Sequence, residues 1–242
     1  MKILVYPSPM EVIRNMAELF VDLAGKAISK KQTCSVLLSG GSSPKQLYEL
    51  LEAGYCDKID WSAVHFFFGD ERYVPFDDPQ NNGLMAKKTL FDPLHIADDH
   101  IFYIDTAKSP EEAARDYERR IKEFFGAEEV KFDIALLGLG DNSHTASLFP
   151  HTEVLNETKA LVKEVFVSEL NQYRITLTYP VLNAAHAVVF LVYGAGKAQA
   201  VYNIIHGERD IPEYPAQLIQ PSDGELYWVL DKAAAAKLHG HQ

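Results

Sequence analysis

Apolar runs of strand length alternate along this chain with segments in which apolar residues recur at helical spacing. The continuous runs predict buried strands at 3–6, 34–39, 63–68, 132–137, 187–193 and 225–230, with a short strand at 100–104. The helical spacing predicts helices at 11–28, 44–53, 81–91, 110–125, 196–207 and 231–240. Such alternation is typical of a largely parallel sheet covered by helices on both faces.

Two segments follow a different pattern. Residues 160–168 and 174–178 alternate between apolar and polar positions, which predicts a pair of antiparallel strands. The predicted fold is therefore α/β, doubly wound and Rossmann-like, with a mostly parallel sheet and a small antiparallel strand element. A chain of 242 residues with 47% hydrophobic composition suffices for a single domain over 1–242, although two cores joined by short segments also fit this length.

Composition and charge narrow the possible partners. The formal net charge of −11 argues against nucleic acid and requires any anion site to be local. The start of the chain has no long apolar segment, and no stretch approaches a membrane span, so we expect a soluble cytoplasmic protein without a membrane partner. Cys34 and Cys56 lack metal or disulfide spacing and the histidines are scattered, so no metal site is expected. The oligomeric state stays open between a monomer and a small homo-oligomer.

The ends of the predicted strands carry the candidate chemistry, because ligands of parallel sheets lie at the carboxyl ends of the strands. After the strand at 34–39 come Gly40, Gly41 and Ser42, followed by a predicted helix that Ser43 and Gln46 would begin as a capping box. Glycines and a helix N-terminus can hold an anion. A plain strand–helix turn explains the same residues, and the Walker pattern is missing.

Charged residues follow the strand at 63–68 directly. Asp70, Glu71 and Arg72 stand at the end of a buried strand, where charges are costly unless they are paired or functional. The block predicts either an ion-pair cluster that fixes a loop or part of a functional site.

The stretch "LGLGDNSHTASLFPHT" follows the strand at 132–137. Gly138 and Gly140 resemble part of a dinucleotide fingerprint, but Ser143 replaces the third glycine and Pro150 interrupts a following helix, so a nicotinamide cofactor is disfavoured. What remains is His144 on a glycine-supported loop. A lone histidine is more often structural than catalytic, but its position at the same sheet edge as the other motifs favours a function.

Two cations complete the candidate site. Arg174 begins a predicted strand, and Lys197 lies at the start of the helix predicted for 196–207. A lysine at a helix N-terminus opposes the helix dipole, which makes sense if an anion lies between the two. Otherwise Lys197 is an ordinary surface residue.

Five blocks together resemble a known family. "SGGSSP", "GDERYVP", "GLGDNSHTASLFP", "RITLTYPVLNAA" and "GAGKA" occur in this order, and from about residue 34 to residue 238 the chain resembles the 6-phosphogluconolactonase family within the glucosamine-6-phosphate isomerase/deaminase group. The resemblance implies hydrolysis of 6-phospho-D-glucono-1,5-lactone to 6-phosphogluconate, in the oxidative pentose phosphate pathway and without a cofactor.

The resemblance also implies roles for individual residues. His144 would be the general base, with Asp70, Glu71, Arg72 and Asn142 beside it, and the phosphate-holding residues would be Gly40, Gly41, Ser42, Arg174 and Lys197. A histidine that titrates near neutrality suits the base role. Arg72 could stabilise either the oxyanion or the substrate hydroxyls.

The chain departs from the family pattern at two positions. The family usually reads G-x-G-x-Asp-Gly-His, whereas this chain has Asn142 and Ser143 before the histidine. Asn142 can orient the imidazole but carries no charge, and the neighbouring Asp141 could substitute for the missing aspartate.

Three alternative functions remain. The isomerase/deaminase branch has a glutamate five positions after the motif histidine, where this chain has Phe149, which cannot relay a proton. The lactonase reading is therefore favoured over that branch. The Asn142 departure motivates a second alternative, a non-catalytic sugar-phosphate sensor, and an α/β binding domain without such a site is the third.

Overall fold

The structure is a computed structural model that describes residues 1–238. Within this range the chain forms nine strands: Lys2–Tyr6 (β1), Cys34–Leu38 (β2), Val64–Phe68 (β3), Asp70–Arg72 (β4), Ile134–Leu137 (β5), Val162–Val167 (β6), Gln172–Leu177 (β7), Ala187–Val192 (β8) and Glu225–Asp231 (β9). The α-helices of the same range are Pro9–Lys31 (α1), Ser42–Tyr55 (α2), Asn82–Ala86 (α3), Pro110–Phe125 (α4), Tyr179–Ala184 (α5) and Ala198–Ile205 (α6).

Six strands form one parallel sheet in the order β1-β9-β8-β5-β2-β3. Its inner strands are the continuous apolar runs of the sequence, and every residue of β2, β5 and β8 is buried. Strands covered on both faces require such runs, because neither face contacts water. The predicted α/β fold with a mostly parallel sheet is confirmed.

A second, antiparallel sheet has the order β4-β7-β6. It contains the two segments that alternate in the sequence, so the predicted antiparallel pair is confirmed. Gly69 links the two sheets: its N–H donates to the Leu38 carbonyl at 2.9 Å, and its carbonyl accepts from the Leu177 N–H at 2.8 Å. The ends of β2, β3 and β7 therefore meet at one place.

The long helices begin where their sequences provide caps. The Ser8 side chain accepts a hydrogen bond from the Glu11 N–H at the start of α1, and Ser109 and Glu112 form a reciprocal capping box at the start of α4. An apolar stripe on α1, including Met16 and Phe20, is fully buried. Burial of each such side chain contributes about 1.5–3 kcal/mol.

Two predicted elements are wrong. Residues 100–104 form only a single bridge, between Ile101 and Phe66. Residues 232–238 form turns instead of a helix, because the Ala236 and Leu238 N–H groups donate to the carbonyls of Ala233 and Ala235, three residues earlier, and no run of α-helical hydrogen bonds forms. Residues 239–242, including the end of that predicted helix, lie outside the described residues.

Other predicted elements have different bounds or shapes. The helix predicted for 81–91 is the short α3 followed by a π-helical turn over Lys87–Phe91. The helix predicted for 196–207 is a 3₁₀ turn at Ala195–Lys197 followed by α6. Among the described residues, no helix has the length and apolar character needed to cross a membrane.

Candidate active site

A cavity of about 600 Å³ lies at the carboxyl ends of β2, β5 and β8, beside β4 and β7. It brings together nearly all of the residues predicted from the sequence. The predicted residues that line it are Gly40, Gly41, Ser42, Asp70, Arg72, Asn142, His144, Arg174 and Lys197. The convergence follows from topology, because the strand ends of a parallel sheet share one edge.

The turn between β2 and α2 forms one wall of the cavity. Gly41 has φ +104°, which favours glycine, and α2 begins at Ser42. The predicted capping box of Ser43 and Gln46 is wrong: within residues 1–238, no side chain caps the first turn of α2. The N–H groups of this turn therefore lack a side-chain acceptor at the edge of the cavity.

Asp70 and Arg72 reach the cavity from β4. Asp70 is 8% exposed, and its Oδ2 accepts a hydrogen bond from the Ser147 hydroxyl at 2.6 Å. Arg72 donates from Nη1 to the Gln80 carbonyl at 2.7 Å. In the β4–β7 ladder Arg72 lies directly opposite Arg174, so two guanidinium-bearing residues are neighbours beside the cavity.

Glu71 is the one predicted site residue that the structure does not bring into the cavity. Its side chain is buried, and its carboxylate accepts hydrogen bonds from the backbone N–H groups of Arg72 at 2.8 Å, Asn82 at 2.7 Å and Gly83 at 2.9 Å. Burial raises the pKa of Glu71 to about 7, and these three donors oppose the rise. Glu71 thus fixes the start of α3 through backbone hydrogen bonds, whereas the ion-pair cluster considered for this block does not form at Glu71 within residues 1–238.

The imidazole of His144 is held from three sides. Its Nδ1 contacts the amide oxygen Oδ1 of Asn142, and its ring stacks on Phe149 with centroids 4.0 Å apart. A Cβ at position 140 would overlap the imidazole, so this close approach requires Gly140. The loop after β5 therefore positions His144 at the cavity.

The electrostatic surroundings keep His144 uncharged. Burial lowers the pKa of His144 to about 4, and the positive charges of Lys197 and Arg174 act in the same direction, against the opposing effect of Asp70. At neutral pH the imidazole therefore has a lone pair available, but its pKa lies below the near-neutral value expected from the sequence, so it is a weaker base than expected.

Ser143 occupies a position that favours glycine. Its φ is +63°, and its carbonyl accepts a hydrogen bond from the Ala216 N–H at 3.0 Å. This left-handed conformation explains in physical terms why the motif of the resembled family has glycine immediately before the histidine.

Together with Arg72, Lys197 and Arg174 supply the positive charge of the cavity. Lys197 lies just after Gly194, whose φ is +98°, and its Nζ is 2.5 Å from Oδ1 of Asp141. Burial lowers the pKa of Arg174, and Asp70 opposes this effect. Within the described range, Nε of Arg174 is buried without a hydrogen-bond partner.

Polar residues of the cavity wall that were missed from the sequence include Ser147 and Tyr193. Ser147 donates a hydrogen bond to Asp70, and Tyr193 directly follows β8, where its hydroxyl is buried without a partner in the described range. Ser147 lies three residues after His144 inside a block already singled out, which was a usable signal. For the residues described, no cluster of three or more His, Cys, Asp or Glu side chains could hold a metal ion.

The fold and the cavity define an α/β protein with a cationic, histidine-containing site at the strand ends of a parallel sheet. Residues 7–228 match the family model described as Glucosamine-6-phosphate isomerases/6-phosphogluconolactonase, and the chain belongs to this family. The family resemblance seen in the five sequence blocks is confirmed, and the chain is an enzyme of this family.

Individual relatives are similar over nearly the whole chain. The chain is 40% identical over 238 residues to the 6-phosphogluconolactonase of Nostoc sp., covering 97% of each protein. It is 36% identical to the 6-phosphogluconolactonase of Bos taurus, covering 97% of this chain and 92% of the relative. The structure of 6-phosphogluconolactonase from Trypanosoma cruzi is similar with a TM-score of 0.88 at 30% identity, covering 98% of each chain.

Proposed function

We propose that this protein is a 6-phosphogluconolactonase that hydrolyses 6-phospho-D-glucono-1,5-lactone to 6-phospho-D-gluconate in the oxidative pentose phosphate pathway. The observation that carries the proposal is one cavity that holds an uncharged imidazole, His144, together with the cations Arg72, Arg174 and Lys197. Relatives that bear this enzyme's name and align over nearly the whole chain support the same reaction.

The phosphate of the substrate binds at the cationic side of the cavity. Lys197 and Arg174 supply charge, and the turn at Gly41 and Ser42 supplies backbone N–H donors at the start of α2. This anchor holds the sugar ring in a fixed orientation beside His144. Binding energy from the phosphate is thereby used to position the carbonyl for attack.

His144 acts as the general base through Nε2. An amide oxygen only accepts hydrogen bonds, so the contact with Asn142 Oδ1 requires the hydrogen to be on Nδ1 and leaves the lone pair on Nε2. Nε2 takes a proton from a water molecule while the water oxygen attacks the lactone carbonyl carbon.

The tetrahedral intermediate then opens the ring. The bond between the carbonyl carbon and the ring oxygen breaks, and the ring oxygen receives the proton from Nε2 of His144. The new carboxylic acid loses its remaining proton to solvent. Arg72, which uses one donor on the Gln80 carbonyl, has further donors for the oxyanion or for sugar hydroxyls. These steps need only water, so no cofactor is required.

An isomerase or deaminase of the same family is the first alternative. That chemistry opens a ring and moves a proton with a carboxylate five residues after the motif histidine. Here that position is Phe149, which is buried and stacks on the imidazole of His144. Because a phenyl ring carries no proton, this stacking favours the hydrolase.

A non-catalytic sugar-phosphate sensor is the second alternative, motivated by the loss of the aspartate at position 142. Asn142 nevertheless keeps the contact to Nδ1 of His144. The orientation of the base is thus retained, which supports an enzyme.

A coupled assay with freshly prepared lactone tests the proposal, with spontaneous hydrolysis subtracted. We expect wild type to accelerate formation of 6-phosphogluconate, and His144→Ala to lower kcat by at least about 100-fold. His151→Ala, at an exposed histidine seven positions later, is the matched control and should retain the wild-type rate. Full activity of His144→Ala would exclude His144 as the base, and release of ammonia from glucosamine 6-phosphate would favour the deaminase.

A further inference from the structure

The cation at the proposed phosphate site already has an anionic partner within the chain. Nζ of Lys197 is 2.5 Å from Oδ1 of Asp141, and both residues line the cavity. The Lys197 side chain is 29% exposed and that of Asp141 is 83% exposed, so the lysine is held inside the cavity wall while the aspartate can move into solvent.

This ion pair defines what Asp141 does in the motif. The nitrogen Nδ1 of His144 contacts Asn142, whereas the carboxylate of Asp141 contacts Lys197. Asp141 therefore does not replace the aspartate that the family motif has at position 142. Its charge acts on the anion-binding side of the cavity.

A carboxylate and a phosphate are the same kind of partner for a lysine ammonium group, because both bind it through charged oxygen acceptors. A phosphate that approaches Lys197 must either displace Asp141 or lie beside its negative charge. Both outcomes weaken phosphate binding. Departure of the phosphate, in turn, restores the ion pair of Asp141 with Lys197.

The proposed reaction increases the negative charge of the ligand. The lactone group is neutral, and hydrolysis converts it to a carboxylate while the phosphate is unchanged. The product thus carries one more negative charge than the substrate. A carboxylate in the cavity wall repels the product more strongly than it repels the substrate.

We propose that Asp141 competes with the ligand phosphate for Lys197 and thereby promotes release of the phosphorylated carboxylate product. This inference rests on the proposed function. It makes Asp141 a residue that weakens binding of the phosphate in substrate and product alike, and so speeds product departure, without a part in the chemical step.

The test is Asp141→Asn, which keeps the shape of an exposed side chain and removes its charge. We expect the variant to bind 6-phosphogluconate and inorganic phosphate about two- to fivefold more tightly in calorimetry, the range for a partly exposed ion pair. The product inhibition constant measured from progress curves should fall by a similar factor.

A matched control removes the same charge elsewhere in the cavity. Glu169 lines the cavity but forms no ion pair with any residue that the structure describes. Glu169→Gln should tighten product binding less than Asp141→Asn. Equal tightening by both variants would show general repulsion and overturn the competition for Lys197.

A second comparison uses Lys197→Gln as the background. Addition of Asp141→Asn to this variant should change phosphate binding little, because the contested cation is gone. If wild type hydrolyses the lactone but Asp141→Asn binds 6-phosphogluconate no more tightly than wild type, the role of Asp141 is wrong and the lactonase stands. If wild type neither hydrolyses the lactone nor binds the product, both proposals fail.

Discussion

At the scale of single residues, the imidazole of His144, the proposed general base, is positioned by its immediate neighbours. Gly140 lies against the imidazole of His144, Phe149 stacks on one face of the ring, and Asn142 contacts Nδ1. Each of these neighbours is uncharged. The ring is therefore oriented without a negative partner at Nδ1, and burial determines its protonation.

The pH dependence of kcat/KM follows from this arrangement. Because the pKa of His144 is lowered to about 4, we expect kcat/KM to stay constant as the pH falls through the ordinary histidine value of about 6.5 and to decline only near the lower pKa. Asn142→Asp places a negative charge at Nδ1 and stabilises the imidazolium, so its acidic decline should lie at higher pH. Initial rates across the acidic range measure both profiles. A wild-type decline centred near 6.5 would contradict the effect of burial.

Most residues that line the candidate site were predictable from the sequence, because polar and charged side chains that follow buried parallel strands converge at one edge of the sheet. The exception was Glu71, whose side chain was expected in the candidate site but lies on the other face of β4. Successive residues of a strand point to opposite faces, so Asp70 and Arg72 share the face toward the cavity and Glu71 takes the other. This alternation was present in the sequence and could have separated Glu71 from its neighbours.

At the scale of elements, the continuous apolar runs predicted the inner strands well, because burial on both faces leaves few alternatives. The elements that were predicted incorrectly differ from the prediction for local reasons. The alanine-rich segment 233–236 has high helix propensity, and the Asp231 carboxylate accepts from the Ala234 N–H as a helix cap would, yet the backbone continues in turns with bonds that span three residues. A segment of one or two turns is too short for propensity alone to make it an α-helix.

The junction between β4 and α3 depends on one carboxylate. Glu71→Gln replaces an acceptor oxygen with an amide group that faces backbone N–H donors, so we expect it to lower the free energy of unfolding by about 1–3 kcal/mol. Urea denaturation of both proteins measures this change. The same exchange at the exposed Glu169 should change stability by less than about 0.5 kcal/mol. Equal stability of Glu71→Gln and wild type would show that these hydrogen bonds contribute nothing.

At the scale of the whole molecule, the cavity is assembled from both sheets. The turn after β2, the loop after β5 and the segment after β8 belong to the parallel sheet, whereas Asp70, Arg72 and Arg174 come from the antiparallel one. A ligand that contacts all of them binds only the folded protein. It therefore stabilises the fold as a whole.

Thermal unfolding in the presence of inorganic phosphate tests this coupling. At about 100 times its dissociation constant, phosphate adds about 2.7 kcal/mol and should raise Tm by about 5–10 °C. Lys197→Ala should lose most of this shift. Lys45→Ala should keep it, because Lys45 lies in the first turn of α2 but pairs with Glu49 outside the cavity wall. Loss of the shift in both variants, or in neither, would contradict a phosphate site at Lys197.

Arg72 and Arg174 lie directly opposite each other in the β4–β7 ladder, and this placement affects how firmly the two strands pair. Like charges placed face to face in a ladder repel each other. In the proposed function the same two arginines lie beside a doubly negative phosphate, so a substitution that relieves their mutual repulsion would also weaken phosphate binding. We therefore expect the pairing of β4 with β7 to be less stable than it would be with a neutral residue at either position.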